Sequence, residues 1–225
     1  MPSVADRVRE LAMHGPVRAD DLLAAGIPRA NLQRLAEQGV LERVARGLYR
    51  IAGAATTELS PLADIARRNP NAVFGLLTAL QFHELTAEVP HEVWILLHRR
   101  ARPPQLEHVR LHIAYASGKA LSFGVEEHLV DGVAVRITAP AKTVADCFRY
   151  RSHVGLDVAL EALRDFLRRG RARSHGGDKS RSQLPTANHH DMIGEKKRFS
   201  VDALVEAANA DGVYSVIRPY LEALI

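Results

Sequence analysis

Residues 26–51 read GIPRANLQRLAEQGVLERVARGLYRI, and their reading decides the first half of the molecule. Gly26 is placed to end a helix at its C′ position, and Pro28 suits the first turn of the next. Between Pro28 and Gly39, Leu32, Leu35 and Ala36 recur at helical spacing and define a buried side. Ala30, Gln33, Arg34 and Glu37 fall on the opposite side, with Asn31 on the flank. After Gly39 the period changes. Val40–Val44 and Leu48–Ile51 are short β-prone runs joined by Ala45-Arg46-Gly47, which reads as a hairpin with glycine in its turn.

Upstream, Val4, Val8, Leu11 and Ala12 mark a first helix that Gly15-Pro16 terminates. A second helix covers Ala19–Ala25, with Asp20 and Asp21 in the first turn, where the helix dipole favours acids, and Leu22 and Leu23 as its apolar side. Helix, glycine turn, helix and hairpin is the order of a winged helix-turn-helix, in which the second helix of the pair enters the DNA major groove. Five arginines lie between Arg29 and Arg50 against two glutamates. Arginine is the side chain best matched to phosphate and guanine. A small protein-interaction module with solvated arginines remains the alternative for these residues.

The same run resembles the N-terminal domain of the AbiEi family of antitoxins. The pattern L-x-R-x-x-R-G-x-Y is supplied by Leu41, Arg43, Arg46, Gly47 and Tyr49, while Pro28 stands where a capping Ser or Thr is more usual. The resemblance implies base contacts by Asn31, Gln33 and Arg34. It implies backbone contacts by Arg29, Arg43, Arg46 and Arg50, with Gly47 permitting the turn.

Residues 52–60 are small and Thr-rich, a linker between a winged helix-turn-helix at 1–52 and a larger mixed α/β domain at 60–225. The expected class is therefore α+β. In the second part Leu62–Arg68 and Ala72–Leu85 are predicted helices, followed by strands at 93–97 and 109–113. The first of these strands is apolar throughout, as in a strand covered on both faces. The loop between them, His98–Pro104, is basic. Asp131-Gly132 between 126–130 and 133–138 signals a type I′ hairpin. Helices are predicted from Pro140 to about Arg149, over Leu156–Arg169, from about Ser200, and from Val213 onward. Residues 171–198, rich in Ser, His, Gly and basic residues, read as a mobile polar insertion. Three runs in this half also resemble the family: Leu77–Leu80, Val93–Ile95 and Val135–Asp146. The resemblance implies an antitoxin-type domain that counters a nucleotidyltransferase-like toxin, the first domain repressing the shared operon by binding operator repeats in double-stranded DNA. A regulator whose second domain senses a ligand or dimerises is the alternative.

The chain has 225 residues, 47% of them apolar and 25% charged, with a net charge of +4. No run approaches the roughly 18–20 apolar residues of a membrane span. The N-terminus lacks a signal-peptide h-region, so a cytoplasmic protein is expected. A single cysteine, Cys147, excludes an intrachain disulfide and a Cys-based zinc site. The eleven histidines are scattered, and only His189-His190 are adjacent. No metal or cofactor is expected. Nor is catalysis. Glu195-Lys196-Lys197 has the letters of a nuclease E-x-K without a strand to hold it, and Gly118-Lys119 lacks the rest of a phosphate loop. Lys142 and Asp146, four apart, are expected to pair along a helix surface, and Cys147 to be inert core.

Overall fold

A computed structural model describes residues 3–13, 15–54, 57–104, 106, 109–174 and 198–225. The architecture is α+β in two parts. In the first, α1 (Val4–Ala12), β1 (Val17–Arg18), α2 (Ala19–Ala24), α3 (Arg29–Glu37), β2 (Leu41–Ala45) and β3 (Leu48–Ile51) follow one another. Ser3 caps α1 in a capping box with Asp6, satisfying two N-terminal donors reciprocally. The three strands form an antiparallel sheet in the order β1-β3-β2. Val8, Ala12, Val17, Leu22, Ile27, Leu32, Leu35 and Leu41 close a separate core beneath it. Leu11 and Leu23, expected on the inner faces of their helices, are instead exposed. Each lies one position off its helix's buried stripe, so a neighbouring residue (Ala12, Leu22) takes the inner place.

The second part is a five-stranded sheet ordered β6-β5-β4-β8-β7, carrying helices on both faces. Its strands are β4 (Val73–Phe74), β5 (Val93–His98), β6 (Leu111–Ala116), β7 (Val125–Val130) and β8 (Val133–Thr138). The β7–β8 hairpin turns at Asp131-Gly132 with both residues at positive φ, +45° and +68°, as a type I′ turn requires. One face of the sheet packs Phe74, Ile95, Leu97, Val135 and Ile137 under α4 (Ser60–Arg68). The other packs Val73, Trp94 and Leu96 against α5 (Leu76–Phe82), α7 (Pro140–Arg149), α9 (Leu156–Ser174), α10 (Val201–Asp211) and α11 (Tyr214–Leu224). Alternate residues of β5 thus enter different cores, which explains its unbroken apolar run. Two one-turn helices, α6 (Lys119–Ser122) and α8 (Arg151–Val154), lie between these elements.

Three expectations change. The helix predicted over 72–85 is a strand and then a shorter helix. Val73 and Phe74 pair with β5 and β8 at the centre of the sheet, and α5 begins only at Leu76. Of the stretch 171–198, the first four residues continue α9 to Ser174, and Arg198 is again helical. The rest, with His189, His190 and Glu195–Lys197, lies outside the described residues. Finally, Lys142 and Asp146 pair in the interior rather than on a helix surface. The Lys142 ammonium bonds Asp146 and also sits 2.9 and 3.0 Å from the two carboxylate oxygens of Asp211 on α10, its hydrogen bond directed to the farther one. Cys147 is fully buried beside this triad, and burial pushes its thiol pKa up, as inert core requires.

Candidate nucleic-acid interface

Helix α3 is cut to present one side. Leu32 and Leu35 are buried, while Arg29, Ala30, Gln33, Arg34 and Glu37 face solvent and Asn31 is half-buried at the edge. Pro28 is the N-cap, extended at φ −62° and ψ 148°, not a first-turn residue. Its ring fixes φ near the required value, and the helix starts one residue later than the sequence suggested. Gly26, at φ +76°, turns the chain out of α2. From α1, Arg7 donates to the Ala25 carbonyl at 2.5 Å and so ties off the C-terminal end of α2 next to that turn. Short-range contacts hold the polar side chains of α3 lightly. Gln33 donates to Glu37 at 3.1 Å, and Arg29 pairs with Asp20 at 2.7 Å with both side chains about two-thirds exposed. Exposed pairs of this kind contribute only ~0–1 kcal/mol and exchange readily for a phosphate partner.

Beside α3 stands the hairpin of β2 and β3. Ala45 pairs with Leu48, leaving Arg46-Gly47 as the tip, and the register shifts by a bulge between Arg43 and Ala45. Gly47 has φ +73°, a conformation that costs glycine least, so glycine at this position permits the tight tip. Arg43 and Arg46 are exposed. Arg43 makes a long 3.4 Å bond to the Ala45 carbonyl, and Tyr49 is half-buried against the small core. The geometry therefore brings Arg29, Gln33, Arg34, Arg43 and Arg46 out to solvent from the helix and the wing. It does not bring Arg50. Side chains of a strand alternate, and Arg50 shares its inward face with Leu48. Its guanidinium is 11% exposed and bonds Asp64 of α4 at 2.6 Å, with Glu42 at 3.7 Å. Arg50 is thus withdrawn from the phosphate-contacting set, because its charge is committed inside the molecule.

Two contributors escaped the sequence reading. Strand β1 is two residues long, too short to show a period, yet it pairs Val17 with Tyr49 and Arg18 with Leu48 and braces the wing from behind. The second is the set of contacts from α4 to the wing module, which link residues far apart in the chain and leave no local signal.

Helix-turn-helix, three-stranded sheet and exposed arginine wing together define a winged helix-turn-helix domain. Residues 6–52 match the family model described as "Transcriptional regulator, AbiEi antitoxin", so the likeness to that family is carried by the winged helix-turn-helix region. The match ends there and does not extend to the runs at 77–80, 93–95 and 135–146. Among solved structures, the chain is similar to the RV2827C protein from Mycobacterium tuberculosis. The TM-score is 0.53 at 15% identity, covering 99% of this chain and 82% of that one, a likeness of fold alone. No curated protein matches the sequence. Among the described residues there is no helix long and apolar enough to cross a membrane, and no cluster of three or more side chains able to hold a metal ion.

Proposed function

We propose that the protein is a sequence-specific DNA-binding antitoxin that represses its own toxin–antitoxin operon from the cytoplasm. Its second domain would counteract a nucleotidyltransferase-like toxin, and it would act by binding rather than by catalysis. One observation carries the reading. A helix with Gln33 and Arg34 on its open face stands beside a hairpin tipped by Arg46, within the region that matches the AbiEi regulators. Arginine can bond guanine O6 and N7 in a bidentate fashion, and glutamine can do the same for adenine N6 and N7. Arg43 and Arg46, exposed on the wing, would supply contacts to the sugar–phosphate backbone.

Two arginines should separate base reading from backbone holding. With a duplex from the region upstream of its own coding sequence, Arg34→Ala is expected to cost about 1–3 kcal/mol on that duplex and little on a scrambled one. Arg46→Ala should weaken both alike and lower the slope of log K against log salt by about 0.9. Titrations at several salt concentrations read both effects. Equal discrimination by Arg34→Ala and wild type would remove Arg34 from base recognition. Growth rescue on co-expression with a neighbouring nucleotidyltransferase-like gene tests the antitoxin half.

A regulator that senses a small molecule is the second reading. A cleft of about 420 Å³ between the wing and α4, lined by Glu42, Arg43, Arg50, Thr57, Ser60 and Asp64, favours it. That volume is within the range of small-molecule pockets. A metabolite that shifts operator affinity in the absence of any toxin gene would support this alternative.

A further inference from the structure

Helix α4 has two occupied faces. Leu62, Ala63, Ile65 and Ala66 enter the core under the large sheet. Asp64, Arg67 and Arg68, spaced i, i+3 and i+4, lie together on another side of the helix, and all three reach into the N-terminal module. Asp64 accepts from Arg50 of β3 at 2.6 Å, and Arg67 donates through Nε to the Pro16 carbonyl at 2.8 Å, just before β1. Arg68 donates through Nη1 to the carbonyl of Arg46 at the wing tip. The other tip carbonyl, that of Gly47, accepts from the Ala19 amide at 2.9 Å. Both carbonyls of the tip therefore have partners, one on α4 and one at the start of α2.

The junction is close elsewhere too. On the second part's side of it, Ser60 at the start of α4 donates to Asp131 of the β7–β8 turn at 2.6 Å. The backbone of Asp131 meets Gly15 so tightly that a Cβ there would come within 1.9 Å of its carbonyl oxygen. Only glycine allows this approach.

We infer that α4 is a positioning element of the DNA reader. Asp64, Arg67 and Arg68 hold the wing in the attitude that aims Arg43 and Arg46 at the backbone, so the second domain contributes to operator affinity without touching DNA. This rests on the DNA-binding reading above and extends it to residues outside the family match. The guanidinium bonds of Arg67 and Arg68 go to backbone carbonyls, which is the behaviour of a brace rather than of a phosphate contact. A wing freed from them must be ordered again at each binding event, and fixing even one or two residues opposes binding measurably.

The test uses the full chain with Arg68→Ala, Arg67→Ala/Arg68→Ala and the conservative Arg68→Lys. A duplex of the upstream region serves as the probe, with amide exchange followed across residues 41–51. The double variant should weaken binding about tenfold. Its salt slope should be unchanged, its wing amides should exchange faster, and amides in β5, β8 and α7 should keep their protection. Arg68→Lys should regain most of the loss, because an ammonium still donates to a carbonyl. Unchanged affinity together with unchanged wing exchange would overturn the inference. So would a salt slope lower by about 0.9 per arginine removed, the mark of direct phosphate contact. If the wild-type chain ignores every duplex, the proposed function fails, and wing exchange alone still decides the brace.

Discussion

Lys142→Ala is expected to destabilise the protein by about 3–5 kcal/mol, lowering Tm by roughly 6–20 °C for a chain of this size. The ammonium is enclosed with two carboxylates, those of Asp146 and Asp211, and all three side chains are at most 1% exposed. Burial pushes both carboxyls up, and the lysine's charge works against that. For Lys142 itself, burial would lower its pKa, but the two aspartates outweigh it and raise it. One ammonium cannot neutralise two carboxylates. Arg149 bonds the Asp211 carbonyl from the rim of the site and adds a second positive charge nearby. Removing Lys142 leaves two like charges in an apolar core, where α7 meets α10, and each must be protonated or solvated for the fold to persist. Replacing the whole group with apolar side chains of similar volume, Lys142→Met with Asp146→Leu and Asp211→Leu, should recover most of the loss. Chemical denaturation of the single and triple variants measures both. A cost below about 1 kcal/mol for Lys142→Ala would show that the aspartates tolerate one another without the lysine.

That triad also marks where the sequence ceases to be legible. A Lys and an Asp four residues apart pair on any face of a helix, and spacing does not say whether that face is wet. Asp211, the third member, is 65 positions beyond Asp146 and joins through packing alone. The same limit explains Arg50. Composition counted it among five arginines near the wing, but strand alternation, which could have been applied to Leu48-Tyr49-Arg50-Ile51, puts it on the inward side with Leu48. By contrast, the features set by backbone chemistry were readable in place. Gly26 and Gly47 adopt positive φ where the turns were expected, and Asp131-Gly132 forms its hairpin turn between the predicted strands. The apolar run through Val73-Phe74 was ambiguous because short buried strands and buried helices share that signature. Only pairing with β5 and β8 resolves it. The exposed face of α3 followed from periodicity, whereas the grip of α4 on the wing, formed between distant residues, did not.

Acid should destabilise this fold through His83 well above the range in which carboxylates usually titrate. The imidazole is 8% exposed at the end of α5, and Nε2 donates to the Thr138 carbonyl at 2.7 Å, which places the neutral ring's proton on that nitrogen. Burial depresses its pKa from 6.5 to about 4. The bond to Thr138 opposes the shift, nearby Arg198 and His128 reinforce it, and Glu126 acts against it. In the unfolded chain the histidine takes up a proton near pH 6.5, and in the folded chain only near pH 4. The contribution is therefore present above 6.5 and lost as pH falls toward 4, by about 2 kcal/mol at pH 5 and about 3 kcal/mol at pH 4. The buried aspartates of the Lys142 triad act in the opposite direction, because carboxyls with raised pKa hold protons more tightly in the folded state. The comparison that isolates His83 is thus between wild type and His83→Gln, whose amide can keep the bond to Thr138 without titrating. The two proteins should differ little at pH 8, and the variant should become the more stable one as pH drops below 6. Parallel pH profiles for both proteins would mean that the folded imidazole accepts a proton as readily as a solvated one, and that burial does not set its charge state.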